Sequence, residues 1–312
     1  EAFLLFAQSF PSQNLGFIDS KASSLDISIN GRDLTITQSP AILSSNRANG
    51  TTGAVVWKVT PLFASWLASS KPNILFRNGV LSSASIVLEL GCGVSALVGL
   101  ATSPLVHRYL LTDQPYVARF VEQNIIQNST DAALFSPSTN NSNLNNKRKA
   151  PSSGSSASKG ANARANATGN LTFHPLDWEL DTLDPATLGI PNLVVACDCV
   201  YNDALIVPLV QSCVDACRLQ LFSSAFSSSS SPSGHKERAE RNDEEGSIAE
   251  LNPCVCVVAQ QLRAPEVFEA WLSEFMRKGF RVWRMPDAEL PEGLRSTAGF
   301  VVHVGILREA YG

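Results

Sequence analysis

Long apolar runs and an excess of basic charge are both missing from this chain of 312 residues. No apolar segment approaches the roughly 20 residues that a membrane-spanning helix needs. Lysine and arginine number 24 against 28 acidic residues, so the chain lacks the charge by which many proteins grip nucleic acid. Residues 1–10 contain no basic residue, and we expect no signal peptide there. These absences predict a cytoplasmic protein that touches no membrane and meets nucleic acid only indirectly, if at all.

The chain also lacks a disulfide or metal framework. Its seven cysteines are odd in number and lie in apolar segments, which is typical of reduced core thiols in an intracellular protein. The C-x-C pairs at Cys197/Cys199 and Cys254/Cys256 lack the knuckle spacing of structural zinc sites, and the four histidines show no ligand spacing. We therefore expect no bound metal. A Gly-x-Ser-x-Gly elbow and a P-loop are absent as well.

Two stretches of biased composition interrupt the chain, at residues 129–170 and 222–250. The first is mostly Ser, Asn, Ala and Gly with a basic cluster at 147–149, and the second is a serine run followed by mixed charges. We predict both to be disordered surface inserts, because the entropy of loop closure grows only slowly with length. What remains is the size of one large α/β domain. We divide the chain into an N-terminal extension, 1–56, and a main domain, 57–312.

Short apolar strands alternate with amphipathic helices through the main domain. This alternation predicts a mostly parallel sheet with helices on both faces. The last two strands have no helix between them, which predicts an antiparallel hairpin at one edge. In the extension, two alternating segments around Asn30-Gly31 predict a β-hairpin. The predicted strands are Leu25–Ile29, Leu34–Thr37, Ile86–Leu90, Tyr109–Thr112, Leu171–His174, Asn192–Cys197, Cys254–Ala259, Phe280–Trp283 and Phe300–Leu307.

The strongest chemical signal is the segment 87–94, Val-Leu-Glu-Leu-Gly-Cys-Gly-Val. It places Glu89 near the end of a buried strand, followed by a Gly91-Cys92-Gly93 turn and a helix. Glycine permits backbone angles that other residues avoid and lets a ligand lie against the main chain. The free N–H groups of the helix start suit an anionic group. Asp113 ends the next strand, where a carboxylate reaches ribose hydroxyls.

Two ligands fit this pattern, a nicotinamide dinucleotide or S-adenosylmethionine. The spacing Gly91-x-Gly93-x-x-Ala96 is formally a permitted dinucleotide fingerprint, so the glycines do not decide. Glu89 favours S-adenosylmethionine, because a buried carboxylate suits the ammonium group of that cofactor better than a pyrophosphate.

A second signal follows the next strong strand, at residues 197–202, Cys-Asp-Cys-Val-Tyr-Asn. Asp198 and Tyr201 stand at the carboxyl end of a central strand, where α/β proteins bind ligands. A carboxylate and an aromatic ring three residues apart suit a substrate amine, the first by charge and the second by its face. The alternative is a simple helix start, with Asn202 or Asp203 as the N-cap.

Together, Glu89–Gly93, Asp113 and Asp198–Tyr201 resemble the seven-β-strand S-adenosylmethionine-dependent protein lysine methyltransferases, with most similarity to the fungal ribosomal protein lysine methyltransferases. Residues 52–57, Thr-Gly-Ala-Val-Val-Trp, resemble that family's segment before the core, and residues 175–178, Pro-Leu-Asp-Trp, resemble its acid–tryptophan motif. The resemblance runs from about residue 34 to 307, outside the two biased stretches. It implies a class I, Rossmann-like sheet of seven strands.

The resemblance also implies a role for each matching residue. Gly91, Cys92 and Gly93 line the methionine part of the cofactor, with Glu89 beside them, and Asp113 holds the ribose. Trp178 and Cys197 border the adenine, and Trp57 closes the pocket. Asp198 and Tyr201 position the target lysine, although Asp198 as general base stays open.

We therefore predict a monomeric methyltransferase that acts on a protein lysine, and the resemblance implies a ribosomal protein as the substrate. Methylation of a small molecule or of another side chain remains an alternative within enzymes. N6-adenine methylation is less favoured, because Asp198–Tyr201 lacks the two prolines of the usual Asp/Asn-Pro-Pro-Tyr motif. A non-catalytic cofactor-binding scaffold and an NAD-dependent oxidoreductase are the alternatives from other classes.

Overall fold

A computed structural model describes residues 1–47, 50–129, 169–228 and 253–308 of the chain, with side chains of the long helix described up to residue 220. The first predicted insert, 129–170, lies outside these ranges except for residues 129, 169 and 170. The second, 222–250, begins later than predicted, because residues 222–228 continue the long helix; its remainder lies outside the described residues. None of the helices in the described ranges is long and apolar enough to span a membrane.

The centre of the molecule is a seven-stranded sheet. Its strands in chain order are β3 (Ile86–Leu90), β4 (Arg108–Asp113), β5 (Leu171–Pro175), β6 (Leu193–Cys197), β7 (Val255–Gln261), β8 (Phe280–Arg284) and β9 (Phe300–Leu307). In space they lie in the order β5-β4-β3-β6-β7-β9-β8. The first five are parallel, and β9 pairs antiparallel with both β7 and β8. The predicted sheet, including its antiparallel edge, is confirmed.

The order of the strands places the functional edge. The strand order switches between β3 and β6: β4 and β5 are added on one side of β3, and β6, which is parallel to β3, is added on its other side. Ligands bind at such a switch point, outside the carboxyl ends of the parallel strands. The Gly91–Gly93 turn follows β3 and Asp198 follows β6, so both motifs meet at this point.

Helices cover both faces of the sheet, as the run of buried residues in each central strand requires. The helices are α1 (Ala2–Phe6), α2 (Pro40–Leu43), α3 (Val59–Leu67), α4 (Ile74–Arg77), α5 (Leu97–Thr102), α6 (Ala118–Asn128), α7 (Pro185–Leu188), α8 (Asp203–Ser228) and α9 (Pro265–Arg277). Helices α3, α5 and α6 bury their apolar sides on one face, and α1, α8 and α9 on the other. Alternate residues of β3 serve the two faces, Val87 in one cluster and Leu88 in the other.

The N-terminal hairpin forms as predicted, from β1 (Ser24–Ile29) and β2 (Arg32–Thr37). Asn30 and Gly31 both have positive φ angles, 50° and 82°, as a tight hairpin turn requires. Asn124 of α6 binds the free edge of β2: its Oδ1 accepts the Thr37 N–H at 2.7 Å and its Nδ2 donates to the Thr37 carbonyl at 2.8 Å. The same Nδ2 donates to the Val94 carbonyl. One buried amide thus connects the hairpin to the glycine turn.

Candidate active site

A cavity of about 550 Å³ lies at the carboxyl ends of β3, β4 and β6. This volume is within the range usual for cofactor and small-molecule sites. The predicted cofactor and substrate residues all line it: Trp57, Glu89, Gly91, Cys92, Gly93, Asp113, Trp178, Cys197, Asp198 and Tyr201. The tertiary structure therefore brings together residues that are up to 144 positions apart. The functions of the individual residues stay predictions.

The glycine turn has the left-handed backbone angles that its sequence predicts. Gly91 has a φ angle of 75° and Gly93 one of 60°. A Cβ atom on Gly91 would lie 2.6 Å from the Cys199 sulfur and 3.1 Å from the Trp178 ring. A Cβ on Gly93 would lie 3.2 Å from the Gly53 carbonyl oxygen, which accepts a hydrogen bond from Val94 N–H. Both positions therefore need glycine for space as well as for conformation.

Asp113 fastens the glycine turn from the neighbouring strand. Its Oδ2 accepts the Gly93 N–H at 2.8 Å, and its Oδ1 accepts the Gln114 N–H at 2.7 Å. Burial raises the pKa of this carboxyl to about 6, against the lowering effect of the two N–H groups. Asp113 is consequently ionised at neutral pH and keeps lone pairs for further donors, as a ribose contact requires.

Glu89 is almost fully buried at the floor of the cavity, 1% exposed. Its Oε2 accepts the Tyr109 hydroxyl hydrogen at 2.8 Å. Burial, with a smaller contribution from Asp113, raises the pKa of Glu89 to about 8, although the Tyr109 hydrogen bond opposes the shift. Because a bound ammonium group favours the ionised form, the environment of Glu89 fits a ligand of that charge.

Glu89→Gln is expected to be more stable than the wild type at alkaline pH. The folded-state pKa lies above the unfolded one, so the stabilisation from the protonated carboxyl is complete below pH 4.5 and is lost as pH rises through 8. The Gln side chain mimics the protonated form and still accepts from Tyr109. Between pH 5 and 8.5 its advantage in unfolding free energy over wild type should grow by roughly 3 kcal/mol.

Urea unfolding at several pH values measures this difference. Glu122→Gln, on an exposed position of α6, serves as the matched control and should show no such growth with pH. An advantage of Glu89→Gln that stays constant from pH 5 to 8.5 would contradict a buried, protonated Glu89.

The polar and aromatic groups of the cavity fit the predicted cofactor. The Trp178 indole nitrogen is buried and has no hydrogen-bond partner among the described residues. An adenine beside this ring supplies acceptor nitrogens, and the adjoining Asp177 carboxylate is held by the Gln114 amide at 2.8 Å. With the glycine turn and the carboxyl groups of Asp113 and Glu89, the residues present fit the roles toward S-adenosylmethionine that the sequence predicts, and those roles stay predictions.

Trp57 lies in the wall of the cavity and is fixed on both sides. Its indole N–H donates to the Thr52 carbonyl at 3.0 Å, and its ring lies 4.5 Å from that of Phe17. Cys197 is buried and lines the same cavity, and burial raises the pKa of its thiol well above the usual value. Cys92 is likewise buried with a raised thiol pKa. Both cysteines therefore present neutral thiols rather than nucleophiles.

Asp198 is held in an unusual way. It has a positive φ angle of 60°, and its N–H donates to the Ala259 carbonyl at 2.7 Å. Both carboxylate oxygens accept from the Arg263 guanidinium, each at 2.6 Å. The pairing with Arg263 has no signal in the sequence beyond the position of that arginine just after β7, at the same edge of the sheet.

Tyr201 stands at the mouth of the cavity with 37% of its surface exposed. Its hydroxyl and that of Thr52 lie 2.7 Å apart and share a hydrogen bond. Burial of the hydroxyl region raises the Tyr201 pKa, so the phenol is neutral at physiological pH. Thr52, Tyr109 and Arg263 are the site residues that the sequence prediction missed. Thr52 belongs to the segment 52–57 and Tyr109 to the predicted strand Tyr109–Thr112, so the sequence analysis considered both segments without assigning these side chains to the site.

Metal ligands are not a feature of this region. Within the described parts of the chain, no group of three or more histidine, cysteine or acidic side chains is arranged to hold a metal ion.

Residues 37–152 match the family model described as lysine methyltransferase. Among curated proteins, the chain is 29% identical over 234 residues to ribosomal lysine N-methyltransferase 5 of Eremothecium gossypii, covering 64% of this chain and 69% of that protein. It is also 29% identical over 216 residues to the diaminohydroxyphosphoribosylamino-pyrimidine deaminase of Schizosaccharomyces pombe, covering 69% of this chain but only 42% of that protein. The chain thus spans less than half of one relative and about two thirds of the other.

Among solved structures, one match is a TehB-like S-adenosylmethionine-dependent methyltransferase of Corynebacterium glutamicum. It has 11% sequence identity and a TM-score of 0.40, over 78% of this chain and 88% of that one.

The family match confirms the resemblance predicted from the sequence, and it decides between the two cofactors that the glycines left open. S-adenosylmethionine is the cofactor, and the dinucleotide alternative is set aside. The segment that matches the lysine methyltransferase model, residues 37–152, contains the Gly91–Gly93 turn and Asp113, which line the cavity.

Proposed function

We propose that this chain transfers a methyl group from S-adenosylmethionine to the ε-amine of a lysine in a ribosomal protein. The observation that carries the proposal is the shared cavity: Asp198 and Tyr201 line the same space as the Gly91–Gly93 turn. A cofactor methyl and a substrate amine can therefore meet in one site.

The cavity supports distinct tasks at its two ends. Gly91, Cys92 and Gly93 lie against the methionine moiety, and Glu89 faces its ammonium group. Asp113 holds the ribose, Trp178 and Cys197 border the adenine, and Trp57 closes the pocket. The partly exposed Tyr201 offers its ring face to the incoming lysine, an attraction typical of aromatic rings and cations. The long apolar stem of lysine suits entry from the surface beside this ring.

The transfer needs positioning and a neutral amine. The bound cofactor supplies an electrophilic sulfonium methyl; a bond forms between the lysine nitrogen and that carbon as the carbon–sulfur bond breaks. The ammonium form of lysine has no lone pair, so one proton must leave to solvent before attack. Burial of the amine disfavours its charged form and lowers its pKa. Holding the nitrogen in line with the methyl supplies much of the remaining acceleration.

The ribosomal substrate rests on the relatives. The Eremothecium gossypii protein is named a ribosomal lysine N-methyltransferase, as is the Kluyveromyces lactis protein, which is 27% identical over 240 residues. We further propose that the protein is cytoplasmic and monomeric. The proposal also divides the chain at residue 57, between an N-terminal extension and the methyltransferase domain. The bonds of Asn124 to Thr37 and Val94 support an extension that packs on the domain.

Incubation of the chain with labelled S-adenosylmethionine and ribosomal proteins extracted from yeast tests the proposal. Label is expected in methyl-lysine after acid hydrolysis. Tyr201→Ala should lower the rate of transfer at least about 10-fold, because the ring that receives the amine is lost, while affinity for S-adenosylhomocysteine changes less than about threefold.

Tyr201→Phe is the matched variant, since it keeps the ring and loses only the bond to Thr52. It should retain most of the activity. Label on a different side chain or on a small molecule would contradict lysine as the acceptor. Methyl-lysine formed only in proteins outside the ribosome would contradict the substrate alone.

A further inference from the structure

Arg263 is the basic residue that holds the Asp198 carboxylate. The bidentate ion pair has two N···O distances of 2.6 Å, and the Asp198 side chain is only 2% exposed. The Gln261 N–H adds a longer contact to the same carboxylate at 3.3 Å. Such a fork-to-fork arrangement is the geometry in which arginine binds carboxylates most strongly.

Other contacts fix the orientation of Arg263. Its guanidinium lies over the Trp57 ring, 4.9 Å from the ring centroid, and its Nε donates to the Leu15 carbonyl at 3.4 Å. Trp57 and Asp198 both line the cavity. Arg263 therefore lies behind two cavity residues and acts on the site through them, without lining the cavity itself.

The backbone at Asp198 indicates that this placement is costly. Its φ angle of 60° is in the left-handed region, which aspartate tolerates better than most residues but which still disfavours folding. The conformation lets the N–H bind the Ala259 carbonyl on β7 while the side chain meets Arg263.

The cysteine, tyrosine and acidic side chains around Asp198 carry no positive charge that could balance its carboxylate. Cys197 and Cys199 beside it, and Tyr201 beyond them, have pKa values raised by burial and are neutral. Across the cavity, Glu89 on β3 is largely protonated at pH 7 and Asp113 on β4 is ionised. The N-terminal segment presents the Leu15 carbonyl to Arg263. Arg47 also lines the cavity, with its guanidinium over the Tyr116 ring, whereas Arg263 is the cation bonded directly to the Asp198 carboxylate.

An unpaired carboxylate at the amine site would oppose catalysis. It would stabilise the lysine ammonium and hold the proton that must leave before attack. We propose that Arg263 is a positioning residue that compensates the charge of Asp198, so that the target lysine, once bound, loses its proton and attacks as a neutral amine. Asp198 then orients the amine and is not its general base. This inference rests on the proposed lysine transfer.

Opposite substitutions have opposite expected effects on the pH profile of the single-turnover transfer rate to yeast ribosomal proteins. Arg263→Gln leaves the Asp198 carboxylate unpaired. Because the negative carboxylate then stabilises the lysine ammonium, the acid limb of the rate profile should move upward by about one pH unit. Asp198→Asn leaves the guanidinium unpaired and should displace the limb downward. The double variant removes both charges and should return the limb close to its wild-type position.

Arg263→Lys is the control variant, since it keeps the positive charge. A purely structural role for Arg263 would lower the rate equally at all pH values and would not move the acid limb. Its acid limb should lie within about 0.3 pH units of wild type. Binding of S-adenosylhomocysteine by each variant confirms that the cofactor site is folded.

Two results would overturn the inference while leaving the transfer established. The first is an acid limb that stays at its wild-type position in both Arg263→Gln and Asp198→Asn, while the wild type is active. The other is loss of transfer at every pH in both Asp198→Asn and the double variant, as a general base would require. Absence of transfer by wild type would instead overturn the proposed function, and this inference with it.

Discussion

Gly91→Ala is expected to reduce the affinity for S-adenosylhomocysteine by up to about 100-fold. The new Cβ would lie 2.6 Å from the Cys199 sulfur and 3.1 Å from the Trp178 ring, so these two side chains, which line the cavity, must shift. Overpacking at the cavity wall costs about 1–3 kcal/mol and is expected to appear as lost affinity, whereas the left-handed backbone, about 1–2 kcal/mol for a residue with a Cβ, lowers the stability of the free and the bound protein alike. Calorimetric titration of folded protein measures the loss.

Gly79→Ala separates the two causes. Gly79 has a similar φ angle of 69°, but no heavy atom lies within 4 Å of an added Cβ, and the residue does not line the cavity. This variant should lose stability from its backbone alone and keep wild-type affinity. If Gly91→Ala also kept wild-type affinity, the cofactor could not lie against the Gly91–Gly93 turn.

Asp113→Ala is expected to abolish measurable binding of S-adenosylhomocysteine. The substitution removes the acceptor that holds the Gly93 N–H and the Gln114 N–H, and it removes the proposed partner of the ribose hydroxyls. A hydrogen bond to a charged group contributes about 1.5–3 kcal/mol. Loss of the two proposed bonds to the ribose hydroxyls therefore corresponds to a fall in affinity of at least about 100-fold.

Two controls make the Asp113 result specific. Asp184→Ala removes another carboxylate that caps a backbone N–H, that of Ala186, far from the cavity, and should leave affinity unchanged. In wild type, affinity should fall as pH drops below about 6, because protonated Asp113 loses its acceptor strength. Asp113→Asn should show a weaker dependence on pH. Binding of NAD in place of S-adenosylhomocysteine would contradict the cofactor assignment.

The sequence by itself determined the fold class and most of the cavity. Alternation of short apolar strands with helices sufficed for the parallel sheet, because buried strands and amphipathic helices differ in their hydrophobic period. The Gly91-Cys92-Gly93 turn was predictable since only glycine tolerates both its backbone angles and its lack of space. Asp113 and Asp198 were predictable because residues at the carboxyl ends of parallel strands meet at one edge.

The tertiary structure alone decided which groups pair inside that edge. Local sequence carries no record of contacts between distant segments, so nothing in the chain indicates that Tyr109 binds Glu89 or that Thr52 binds Tyr201. The pairing of Arg263 with Asp198 likewise exists because β6 and β7 are neighbours and their ends are level. Charge state depends on burial and on partners, both properties of the packed molecule, so the chemistry of Asp198 follows from the tertiary structure.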